Sequence, residues 1–213
     1  MKKIIFALIL IFIIFSVLVL LSMSSLVKIP VFSNIFYSYK IGDLGIENTQ
    51  LAAYNLSQKL GFSPSGQKIG NFLPGPKTIN ASDIEVSSWI NMLCKEFPEM
   101  FPIKDFQIKF ENGKIISSAH IFDPIEADIT VFAAVSKKDE KSINVKFEKV
   151  YLGNILAPEN IRKMLEQKAE QDINKILGQV GDLRIDKLEI LNREISFVGI
   201  FPFWFPGDEY ITF

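Results

Sequence analysis

Residues 106–122, FQIKFENGKIISSAHIF, decide the fold class. Phe106, Ile108 and Phe110 alternate with Gln107 and Lys109, the period of two that suits a strand with one buried and one wet face. Asn112-Gly113 comes next, a dipeptide favoured in tight hairpin turns because both residues tolerate positive φ. Ile115 to Phe122 then returns as the partner strand. The antiparallel hairpin excludes an all-helical chain, and helical patterns on both sides of it make the protein α+β.

Downstream, Ala127 to Val135 reads as a third strand, the charged run Lys137 to Lys141 as a turn, and Ser142 to Val150 as a fourth strand. Ile143, Val145 and Phe147 alternate there with Asn144, Lys146 and Glu148, so one face of the sheet is apolar. The longest helix follows. Pro158 suits its first turn, and Ile161, Leu165, Ala169, Ile173 and Ile176 recur every three or four residues up to Gly178. This stripe is expected to lie across the sheet. A second hairpin, Leu183 to Leu191 and Glu194 to Ile200, turns at Asn192-Arg193, and the tail Phe201-Pro-Phe-Trp-Phe-Pro206 is densely aromatic.

Upstream, a helix over Asn48 to Leu60 ends at Gly61 in the C-cap position. Residues 63–77, rich in Gly and Pro, read as a loop. A second helix starts near Ser82, with Glu85 completing a capping box. Val86, Trp89, Ile90 and Leu93 form its expected core face.

Ile4 to Val27 carries no charge over 24 residues. At about 1.5 Å per helical residue it covers roughly 36 Å, against a hydrocarbon core of about 30 Å. It is longer than a signal-peptide core and is not followed by an Ala-x-Ala site, so a retained anchor is expected. Lys2 and Lys3 before the run put the N-terminus in the cytoplasm and the rest outside it. The expected organisation is a signal anchor over 1–28, a juxtamembrane linker over 29–41 and an extracytoplasmic α+β domain over 42–213. All 24 acidic residues follow position 42, against 21 Lys and Arg after the first three residues, so the domain is near −3. No basic face for nucleic acid is implied.

Chemistry-bearing residues are sparse. His120 is the single histidine and lies in a strand; Ser118 is its only same-face neighbour in sequence and no acid is indicated, so no catalytic role is expected. Cys94, the single cysteine, reads as a small buried apolar residue. Asp123, Glu126 and Asp128 lack the Gly-centred spacing of a calcium loop and read as a solvated turn. No metal, cofactor or catalytic residue is expected.

Four stretches carry a family resemblance: Asp43-Leu-Gly-Ile46; Ser82-Asp-Ile84 leading to Trp89-Ile-Asn91; Phe106 to Phe110 with its Asn112-Gly113 turn; and Leu152-Gly-Asn-Ile155 running through Pro158 into the long helix. With these the chain resembles the bacterial membrane-anchored YpmS-like and LmeA-like envelope proteins from about Gly42 to Ile200. The resemblance implies a curved antiparallel sheet wrapped around a long helix, as in half of a tubular lipid-binding module, with no catalytic residues.

The sequence thus leads to a non-enzymatic envelope protein, held at the cell membrane by one N-terminal helix and binding a phospholipid or other apolar ligand between helix and sheet. Ile161, Leu165, Ala169, Ile173, Ile176, Trp89 and Phe147 are the expected lining. The alternative is a structural or assembly module that docks an envelope protein through Phe201 to Phe213.

Overall fold

The computed structural model describes residues 13–20, 42–61, 63, 75–99, 101–122 and 126–201. Residues 13–20, here α1, are helical, with Ile13, Ile14, Phe15, Val17 and Leu20 about half exposed. The rest of the uncharged run, the linker 29–41 and the tail after Phe201 lie outside the described residues, and among the described residues no helix is long and apolar enough to cross a membrane.

The protein is α+β with antiparallel sheets. In chain order follow α2 (Gln50–Leu60), β1 (Gly75–Ser82), α3 (Asp83–Glu96), β2 (Ile103–Glu111), β3 (Lys114–Ile121), β4 (Ala127–Lys137), β5 (Ile143–Leu152), β6 (Ile155–Leu156), α4 (Glu159–Gln179), β7 (Arg184–Ile190) and β8 (Glu194–Phe201). Two sheets form, in the orders β2-β3-β4-β5-β6 and β1-β8-β7. Local chemistry places the ends of the elements. Thr49 Oγ1 accepts the Ala52 N–H to start α2, and Gly61 ends it at φ 85°. The Ser82/Glu85 capping box starts α3. Asn112 and Gly113 take positive φ in the β2–β3 turn.

Besides the two-residue β6, one strand escaped the sequence pattern. β1 starts at Gly75, inside the expected loop, because Gly75 to Ser82 pairs with Phe201 to Glu194 along its whole length. It is the outer strand of its sheet, where Pro76 is tolerated.

Strand β7 seals one end of the large sheet. Gly113 N–H in the β2–β3 turn donates to the Ile190 carbonyl, Arg193 N–H donates to the Phe110 carbonyl, and Ile185 N–H donates to the Glu140 carbonyl in the β4–β5 turn. Ile108, Phe110 and Ile190 form a core at this seam, joined by Val86, Phe106, Ile115 and Ile195. A second core, Ile79, Val180, Leu183 and Phe201, lies against the small sheet and takes in Leu60 and Leu177.

The long helix corrects the expected packing. α4 does not cross the sheet but runs along β5, which β6 pairs only at Tyr151 and Leu152. Its polar side does the docking. Asn174 accepts the Ile143 N–H at 2.8 Å and donates to the Ile143 carbonyl at 2.9 Å. Glu170 accepts the Val145 N–H at 3.4 Å, Glu166 accepts the Phe147 N–H at 2.6 Å, and Arg162 donates to the Phe147 carbonyl. The match is metric: four helical residues rise about 6.0 Å and two strand residues about 6.6 Å. Every fourth side chain of an antiparallel helix can therefore reach every outward-facing peptide of an edge strand. Such an edge would otherwise offer unpaired N–H and C=O groups to other chains.

The opposite edge repeats the device. On α3, Ser87 Oγ accepts the Ile108 N–H at 2.8 Å, while Asn91 accepts the Phe106 N–H at 3.0 Å and donates to its carbonyl at 2.6 Å. The buried residues of α3 are accordingly Asp83, Ser87, Ser88 and Cys94, and the expected core face Val86, Trp89, Ile90 and Leu93 is only half-buried.

Candidate functional site

Strand alternation and register divide the large sheet into two unlike faces. One carries Gln107, Ser118, His120, Asp128, Thr130, Phe132 and Tyr151. A strap over Gly42 to Ile46 lies on it: Gln107 Oε1 accepts the Leu44 N–H at 2.8 Å, and Gly42 packs so closely on Ser118 and Thr130 that a Cβ would fall 2.1 Å and 2.7 Å from their hydroxyl oxygens.

On this strapped face the structure supplies the acid that the sequence did not indicate for His120. His120 and Asp128 are cross-strand partners, with Nδ1 2.6 Å from the Asp128 carboxylate, and Nε2 stands 3.5 Å from Glu126. Asp128 therefore holds the ring through Nδ1, whereas the buried Nε2 faces Glu126 without hydrogen-bond geometry, and Asp123 lies outside the described residues. Ser118 is two strand residues away, about 6.6 Å along the chain, beyond the hydrogen-bond reach a nucleophile and base need. Among the described residues no group of three or more His, Cys, Asp or Glu side chains could hold a metal ion.

The other face is apolar but for Ser117 at the middle of β3: Ile108, Phe110, Ile115, Ala119, Ile121, Ala127, Ile129, Val131, Ala133, Val135, Val145, Phe147, Val150 and Leu152 share it by register. α4 overhangs its β5 side, because Val145 and Val150 are buried while Asn144, Lys146, Glu148 and Lys149 are exposed. Over β3 and β4, Ile115, Ala119, Ile121, Ile129, Val131 and Val135 are only half-buried, and neither strand has a helix as a main packing partner. α3 at β2 and α4 at β5 thus flank a trough whose floor is β3 and β4.

The expected lining is distributed around this trough. Phe147 is brought to α4 by its own peptide groups, which bond Glu166 and Arg162. Ile161, Leu165, Ala169 and Ile173 are half-buried and Ile176 is 42% exposed; no residue of α4 is buried, so the stripe forms a wall and not a packed core. Trp89 is half-buried on α3, the helix that packs on β2, and β2 lies three strand spacings or about 14 Å from β5. The sequence missed the floor residues of β3 and β4 and the polar ladder Arg162, Glu166, Glu170 and Asn174, whose four-residue spacing is the signal that could have found it.

Two titrating groups border this architecture. Burial pushes the Cys94 thiol on α3 above its usual value. A hydrogen bond from Lys163, helped by its charge and that of Arg162, holds the Glu159 carboxyl at the start of α4 below its usual range. No protein-family model, curated protein or solved structure matches the chain.

Proposed function

We propose that this chain is a non-enzymatic, membrane-anchored protein of the cell envelope whose extracytoplasmic domain binds a lipid or another apolar ligand in the trough between α3 and α4. The observation that carries the reading is the half-buried apolar floor Ile115, Ala119, Ile121, Ile129, Val131 and Val135, bordered by an α4 stripe that buries none of its residues. Helices that dock by polar side chains leave their apolar sides for something else to cover. Burying apolar surface releases roughly 25 cal/mol per Å², so an acyl chain laid along such a floor gains by leaving water. The uncharged run Ile4 to Val27 supports a bilayer as the neighbouring source of that ligand, and the resemblance to membrane-anchored lipid-binding envelope proteins agrees with it.

The test uses the full chain reconstituted in phospholipid vesicles that contain a lipid with a photoreactive acyl chain. Irradiation and peptide mass spectrometry are expected to find adducts in 115–135 and 161–176 besides those in the N-terminal run. Adducts confined to residues 1–41 would sink ligand binding. A protein crosslink lost on deleting 202–213 would then favour the assembly module.

A further inference from the structure

The floor of the trough is carbon with one interruption. Ser117 lies in the cross-strand row Ile108, Ser117, Val131, Val150, which crosses the middle of the apolar face. It is three residues, about 10 Å, from the sealed end of β3 at Lys114 and four residues, about 13 Å, from the other end at Ile121. Ala119 follows it on the same face of β3 and Ala133 is its diagonal neighbour on β4, so small side chains surround it and it is only half-buried. Serines packed elsewhere in the protein use their hydroxyls. Ser57 donates to the Ala53 carbonyl, Ser88 accepts the Thr49 N–H and Ser87 accepts the Ile108 N–H. Among the described residues the Ser117 hydroxyl has no such partner.

We infer that Ser117 selects the occupant of the trough, a lipid whose neutral ester carbonyl accepts the Ser117 hydroxyl hydrogen midway along the floor. The inference rests on the trough reading above and deepens it. In an open trough water can serve the hydroxyl. A pure hydrocarbon that displaces the water leaves the hydroxyl unpaired under apolar cover, and an unmade hydrogen bond there costs more than a made one gains. A carboxylate fares worse, because no Lys or Arg lies on the floor to neutralise it and a buried unpaired charge costs more than a buried dipole. A neutral oxygen set within an apolar molecule meets both conditions, and the ester carbonyl of an acyl lipid is such an oxygen. The apolar floor on either side of Ser117 then covers the chain that runs away from the carbonyl.

The test uses the full chain in phosphatidylcholine vesicles that carry one of two photoreactive lipids, matched in chain length and in the position of the reactive group, one ester-linked and the other ether-linked. Adducts in the N-terminal run serve as the internal reference. In the unmodified chain the ester lipid is expected to give severalfold more adducts in 115–135 than the ether lipid. Ser117→Ala should bring the ester yield down to the ether yield, whereas Ser117→Thr, which keeps the hydroxyl, should keep the preference. If Ser117→Ala lowers both yields alike, the serine is structural and the inference is overturned. Equal yields from the two lipids in the unmodified chain, or an ester preference that survives Ser117→Ala, would overturn it as well and leave the trough reading standing. Floor adducts from neither lipid would defeat the trough reading itself, and this inference with it.

Discussion

Glu166 and Phe147 meet through the main chain of one and the carboxylate of the other: Glu166 Oε2 accepts the Phe147 N–H at 2.6 Å and also receives Arg162 Nη1 at 3.2 Å. The pair makes a helix side chain part of the hydrogen bonding of a sheet edge. Glu166→Ala leaves a half-buried peptide N–H without its acceptor and removes a partner of Arg162. The expected loss is about 1–3 kcal/mol of unfolding free energy, read from urea denaturation. Glu166→Gln, which retains an accepting oxygen, should lose less. Equal stability of Glu166→Ala and the unmodified chain would mean that the ladder does not hold α4 to β5.

Gly42 should not tolerate a side chain. In Gly42→Ala the new Cβ falls 2.1 Å from Ser118 Oγ, so the strap must lift from the sheet. Hydrogen exchange of the Leu44 amide, now bonded to Gln107, is expected to quicken while the strand amides of β3 and β4 keep their protection. Adding Ser118→Ala removes the nearest atom and should recover part of the protection; no recovery would put the clash elsewhere.

The thiol of Cys94 is buried, and burial raises its pKa, so its reactive thiolate is scarce in the folded protein. Alkylation by iodoacetamide near neutral pH should be slow, and should accelerate many-fold in denaturant. Rapid modification under native conditions would mean that α3 opens readily from α2 and β2.

Acid should weaken the β4–β5 turn. A hydrogen bond from the Ser142 hydroxyl, then that from the Lys141 amide, holds the Asp139 carboxyl below its ordinary value. A carboxyl depressed in the folded state adds stability above its unfolded pKa of about 4, and that contribution disappears as pH falls through the lower folded value. Below pH of about 4 the protection factors of the amides of this turn, taken relative to the slower intrinsic exchange in acid, should fall, and Asp139→Asn should flatten the dependence. An unchanged acid profile in Asp139→Asn would place the sensitivity elsewhere.

The sequence by itself determined the local elements of this protein and little of what they face. Alternation over Phe106 to Phe110 and Ile143 to Phe147, the Asn112-Gly113 turn, the Ser82/Glu85 box and Gly61 act within a few residues of chain, so their strands, turn and caps were legible. The apolar stripes of α3 and α4 were legible as well, but the inference that they turn inward was not safe. Amphipathicity ranks faces by burial of carbon alone, whereas an edge strand also demands partners for its peptide groups. Here Ser87 and Asn91 on one side, and Arg162, Glu166, Glu170 and Asn174 on the other, met that demand. Only the tertiary structure could decide this, as it decided the pairing of His120 with Asp128 and the recruitment of Gly75 to Ser82 into a sheet, because each depends on register between strands. The trough exists for the same reason: hydrogen bonding to the sheet edges set the helices aside, and the apolar floor between them was left half open.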